Sequence, residues 1–195
     1  MPFFVDNFSW MAANTILAFV PVVLVVLLRQ KMSRSLHLIV FFFWLLFLPN
    51  TIYLITDLQH VGAQLLQSPV GEQIILIFQY VTLAVLGVVT YVYSLEPVST
   101  VLRKMRLREI NKDYLYIVLN YIVASGVVLG KVQRTHSWYI FTEPLRVIAD
   151  IIATITRTDL LIWIFLIGTI INVLFFLFRK YFPPLRNTKK SRVRK

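Results

Sequence analysis

From Leu38 to Leu48 the chain reads LIVFFFWLLFL, without one polar side chain. With its flanks, from Leu36 to Ile55, this run is long and apolar enough to cross a bilayer. In lipid every backbone N–H and C=O must find its partner within the protein, so the run is expected to be a helix. It meets Pro49 and Asn50 before it ends, and closes on Thr56, Asp57 and His60. Proline removes a backbone donor and disturbs the turn before it. A carboxylate at the edge of a membrane is costly unless it has a partner, a cavity or the interface. The far end of this helix is therefore where fold and function have most to explain.

Four other runs are of the same kind: about Trp10 to Leu28, Ile74 to Tyr93, Tyr114 to Val132 and Leu160 to Phe178. The chain is 58% hydrophobic and only 15% charged, and the charges sit between the runs. Lipid is thus the solvent for most side chains. The expected fold is all-α: a single polytopic membrane helix bundle of about five transmembrane helices spanning the whole chain. An extracytoplasmic amphipathic interfacial helix adds to it. That helix begins at Pro144, with Thr142 or Glu143 as its cap. Ile148, Ile151, Ile152 and Ile155 share one face at helical spacing, and Arg146, Asp150 and Arg157 share the other. The alternative for residues 138–156 is a sixth pass.

The formal net charge of +11 would suggest nucleic acid in a soluble chain. Here it follows from topology, and no nucleic-acid partner is expected. Every Lys and Arg except Lys131, Arg134, Arg146 and Arg157 falls after the first span, after the third span or in the tail 179–195. The positive-inside rule then puts the N-terminus outside the cell membrane and the C-terminus in the cytoplasm. The lipid bilayer is the expected partner, and the basic tail is placed to touch anionic lipid head groups. The first ten residues carry Asp6 and no Lys or Arg, so no cleavable signal peptide is expected. The chain has no cysteine, which excludes disulfides and thiol chemistry.

Two polar clusters fall on the outer side. One holds Asn50, Tyr53, Asp57 and His60 at the end of the second span. The other holds Lys131, Arg134, Ser137 and Trp138 after the fourth. A helix that continues past Pro49 puts Asn50, Tyr53 and Asp57 on one face. Gly126 and Gly130 form a small-residue stripe leading to Arg134, and such a stripe lets two helices approach closely. The expectation is that it packs on the second span and brings Lys131 or Arg134 to Asp57. Asp57 and His60, with His136, Glu143 and Asp150, have the ligand types of a divalent-ion site. No HExxH is present, and no metal is expected. Neither a P-loop, a dinucleotide fingerprint nor a GxSxG elbow occurs, so no cofactor is expected.

The stretch from Phe47 to Leu58, FLPNTIYLITDL, resembles the FLPN-x-x-Y-L-x-T-D-L pattern of a bacterial integral-membrane family termed domain of unknown function 1361. A second block, with Ser125, Gly126, Leu129, Gly130, Lys131, Arg134, Ser137, Trp138 and then Pro144, is similar to that family's later motif. It departs from it at Lys131, where the pattern has arginine, and in the placing of Gly126 directly after the serine. The resemblance implies a multi-pass bacterial membrane protein and implies no activity.

Three functions fit the residues. The first is a non-catalytic membrane subunit or scaffold with an extracytoplasmic polar cluster. The second is a membrane-interface enzyme acting on a lipid-linked or phosphorylated substrate, with Lys131 and Arg134 on the anionic group and Asp57 or His60 as base. The third is a transporter or channel component, although the first, third and fifth spans carry few polar residues beyond Gln79, Thr82 and Asn172.

Overall fold

The apolar runs become long helices because nothing else satisfies the backbone in lipid. The computed structural model describes residues 2–104, 111–135 and 139–181. Its long helices are α1 (Pro2–Leu28), α2 (Arg34–Phe47) continued by α3 (Pro49–Thr56), then α5 (Val70–Leu95), α7 (Lys112–Val132) and α10 (Thr158–Phe178). Short helices α4 (Val61–Gln67), α6 (Val98–Lys104), α8 (Tyr139–Thr142) and α9 (Pro144–Thr156) join them. Among the described residues, five helices are long and apolar enough to cross a membrane, and no strand occurs. The protein is a polytopic all-α membrane bundle.

Helix α9 has 13 residues. At 1.5 Å per residue it is about 20 Å long, short of the roughly 30 Å a crossing needs. It is not a sixth span. Its N-cap residue is Glu143, but the Glu143 side chain makes no capping bond. The carboxylate turns one turn forward and accepts from Arg146 Nη1 at 3.1 Å, because a guanidinium offers a charge-assisted bond.

The segment 56–72 reads in sequence as a linker punctuated by glycine and proline, and is largely helical instead. A 3-10 turn, Asp57–His60, carries α3 directly into α4, so Arg34–Gln67 forms one 34-residue helical path. At about 50 Å it outruns the membrane. Pro49 does not break this path. Leu48 keeps helical dihedrals, and the side chains of Asn50 and Thr51 donate to the carbonyls of Phe47 and Leu48 at 2.9 and 2.8 Å. Gly62 falls inside α4, where helix neighbours hold it despite its low propensity.

Helix α1 packs against α2, α3 and α5, and α7 packs against α10 and α3. Lipid tails are as apolar as leucine, so close packing and hydrogen bonds must hold these contacts. The larger core cluster joins Val25, Leu28, Trp44, Leu48, Tyr91, Leu95, Val123 and Phe175. A second one, around Met11, Ala18, Leu54, Tyr80 and Leu83, lies toward the Asp57 end. Gly87 permits the α3–α5 contact, since a Cβ there would stand 2.9 Å from Thr51 O.

In the middle of the bundle three polar side chains pair across helices. The Tyr91 hydroxyl donates to Asn120 Oδ1, Asn120 Nδ2 donates to Asn172 Oδ1 at 2.8 Å, and Asn172 Nδ2 donates to Gly168 O at 2.8 Å. Asn120 of α7 and Asn172 of α10 thus link helices across the bundle. Asn120→Leu is expected to strand Tyr91 and Asn172 and to cost about 1–2 kcal/mol. Thermal melting in detergent checks this, and an unchanged melting curve would show that the chain of amides holds nothing.

Candidate functional site

The geometry of the Asp57 cluster starts from spacing. With α3 helical through Pro49, residues 50, 53 and 57 stack on one stripe, and residues 126 and 130 of α7 stack on another. The two stripes meet. A Cβ on Gly126 would stand 2.6 Å from Pro49 Cγ, and one on Gly130 would collide with the Tyr53 hydroxyl. That hydroxyl donates to Gly126 O at 3.0 Å, a bond available only because the helices are this close. Asn50 is buried and satisfies its own helix through Phe47 O.

Asp57 is 3% exposed. Its Oδ1 pairs with Lys131 Nζ at 2.5 Å, and its Oδ2 accepts from Asn14 Nδ2 at 3.0 Å. Lys131 also lies over the Tyr53 ring, 5.8 Å from the centroid. One carboxylate thereby ties α1, α3 and α7 together. Arg134 is not a partner of Asp57. It follows α7 with φ 55°, in the left-handed region, and its side chain is exposed. Among the described residues it makes no hydrogen bond or ion pair.

His60 is exposed, with Nε2 3.1 Å from Gln59 Nε2 and its ring edge-on to Trp10. Asp57 is turned instead into the bundle, so the two do not form a ligand pair. Asp150 accepts from Thr135 Oγ1 at 2.5 Å, and Glu143 is engaged by Arg146. That bond holds the Arg146 guanidinium above its ordinary value. Among the described residues no group of three or more His, Asp or Glu could hold a metal ion. Ser137 and Trp138, with His136, lie outside the described residues, as does the tail from 182 onward.

Sequence reasoning missed Asn14, and with it a neighbouring network. Asn7 and Gln64 exchange two amide bonds, at 2.7 and 3.0 Å. Trp10 Nε1 donates to Asn7 Oδ1 at 3.0 Å, and the Tyr80 hydroxyl donates to Gln64 Oε1 at 3.1 Å. Trp10 is thus half-buried against this network. The signal was present: Asn7 and Asn14, seven apart in an apolar helix, share a face.

Chemically, the cluster is a charge pair with an amide and a phenol around it, each bonded to a neighbouring helix. The profile of the family described as Protein of unknown function (DUF1361) matches residues 13–174. No curated protein and no solved structure matches the chain. The matched region contains Asn14, Asp57 and Lys131, the members of the charge cluster.

Proposed function

The chain belongs to the DUF1361 family, and we propose that within it this protein is a non-catalytic membrane subunit or scaffold. Its outer polar cluster acts as a clamp that sets the relative positions of α1, α3 and α7. The observation that carries this reading is the occupancy of Asp57. Both carboxylate oxygens are taken, by Lys131 and by Asn14, and the group is buried. A general base must be reachable by its substrate, and burial closes this carboxylate off while both of its described bonds go to neighbouring helices. A double-mutant cycle with Asp57→Asn and Lys131→Met, read by thermal melting in detergent, tests the clamp. Coupling of at least about 1 kcal/mol is expected for a desolvated pair. Variants that melt like the wild type and show no coupling would sink the reading and leave the interface enzyme as the better one.

The same reading sets the chain in the cell membrane with the clamp outside and the C-terminus in the cytoplasm. Support comes from charge: Arg29, Lys31, Arg34, Lys112, Arg179 and Lys180 lie at one end of the bundle, away from Asp57. Because the chain has no cysteine, single-cysteine labelling is unambiguous. Gln59→Cys is expected to react with an impermeant maleimide on intact cells, and Gln30→Cys only after lysis. The reverse pattern would invert the topology.

A further inference from the structure

We propose that the corner where α7 gives way to α9 binds the head group of an anionic phospholipid, with Arg134 as the ligand for its phosphate. This goes beyond the clamp and uses none of its residues.

Four Lys or Arg side chains are described at this end of the bundle. Lys131 is paired with Asp57, Arg146 with Glu143 at 3.1 Å, and Arg157 with Asp159 at 2.5 Å. Arg134 stands exposed and, among the described residues, without a hydrogen bond or an acid. Its backbone lies in the left-handed region at φ 55°, just past the end of α7, where the next N–H, that of Thr135, closes back on Leu129 O at 3.2 Å.

Helix α9 sets the depth of this corner. Its inner side is polar and engaged: Thr154 is 2% exposed, and Asp150 accepts from Thr135, the residue next to Arg134. Its outer side is apolar and bare, with Leu145 80%, Ile148 54%, Ile152 52% and Ile155 60% exposed. A water-facing helix would show the opposite arrangement. Leu161, Ile162 and Phe165 of α10, the membrane-spanning helix that follows, are likewise exposed. The occupant of the α9 face is therefore lipid. An amphipathic helix seated this way lies at the boundary of acyl chains and head groups. That puts Arg134 at the level of the phosphates. A guanidinium binds a phosphate through two parallel hydrogen bonds, which favours an anionic head group over one that carries its own cation.

The test is a lipid titration of the full chain in neutral detergent. The probes are phosphatidylglycerol, phosphatidylcholine and inorganic phosphate, and the readouts are melting temperature and lipid retained in native mass spectrometry. The wild type is expected to prefer phosphatidylglycerol, and Arg134→Gly to bind it about tenfold more weakly, the loss of a charge-assisted contact. Glycine suits the left-handed backbone, so this variant is expected to melt no lower than wild type in detergent alone. Arg134→Gln, which keeps length and removes charge, reads the same loss if the glycine variant fails to fold. The basic tail is present in every variant, so its own lipid binding cancels. Equal phosphatidylglycerol binding in wild type and Arg134 variants would overturn the proposal. So would an Arg134-dependent effect that phosphatidylcholine or inorganic phosphate reproduces in full. Asp57, Lys131 and Asn14 are untouched throughout, so the clamp and the lipid site fail independently.

Discussion

Lys131→Met is expected to destabilise the protein by about 3 kcal/mol, near the low end for breaking a buried ion pair because Lys131 keeps some exposure. The cost comes from what is left behind. Asp57 stays buried, with 5% of its side chain exposed, and Asn14 is then its one remaining described partner. Asp57→Asn should cost less, about 1 kcal/mol. Lys131 is 28% exposed and can swing its ammonium to water on a flexible stem. Asparagine can also keep a hydrogen bond to Asn14. The order of the two effects is the informative part. Melting curves in one detergent, with the double variant beside the two single ones, measure it. A larger loss from Asp57→Asn than from Lys131→Met would mean that the buried carboxylate is not the group needing compensation.

Gly126→Ala is expected to destabilise the bundle by about 2 kcal/mol. The new Cβ would stand 2.6 Å from Pro49 Cγ and 3.3 Å from Pro49 Cβ. Those atoms belong to a ring closed on the backbone of α3, so no rotamer moves them aside. Helix α7 must back away instead, which stretches the 3.0 Å bond from Tyr53 to Gly126 O. Gly62→Ala is the control. Nothing lies within 4 Å of its Cβ position, and alanine in a helix interior gains about 0.5–1 kcal/mol over glycine. Opposite signs for the two substitutions, measured by melting, are expected. A Gly126→Ala protein as stable as wild type would show that α3 and α7 are not in tight contact.

How much of this could be read beforehand depends on the range of each interaction. The five spanning helices could be read, because lipid forces local hydrogen bonding and a long apolar run has no alternative. So could the two faces of α9, since periodicity alone separates its isoleucines from Arg146 and Asp150. Spacing put Asn50, Tyr53 and Asp57 on one stripe and Gly126 and Gly130 on another. It left open whether Lys131 or Arg134 would reach Asp57. That choice turns on where α7 ends: Lys131 is still in the helix, one residue beyond Gly130, while Arg134 has passed into a left-handed turn.

The face that carries Asn14 was legible, but the bond Asn14 makes was out of reach for a different reason. Its partner, Asp57, is 43 residues away, and an amide in an apolar helix does not declare what it will bond. The same holds for Asn120 with Asn172 and for Asn7 with Gln64. In the segment 56–72 glycine and proline look like punctuation, whereas the bond from Gln64 to Asn7 and packing on α5 hold α4 as a helix.

By itself, then, the amino-acid sequence determined the solvent, the helices and their periodic faces, because these follow from each residue and its near neighbours. Only the tertiary structure decided which polar groups meet, which glycines sit in tight contact and, among the described residues at the Asp57 end, which arginine has no acid beside it. Those outcomes depend on distances between helices far apart in the chain, and such distances come from packing rather than from local preference.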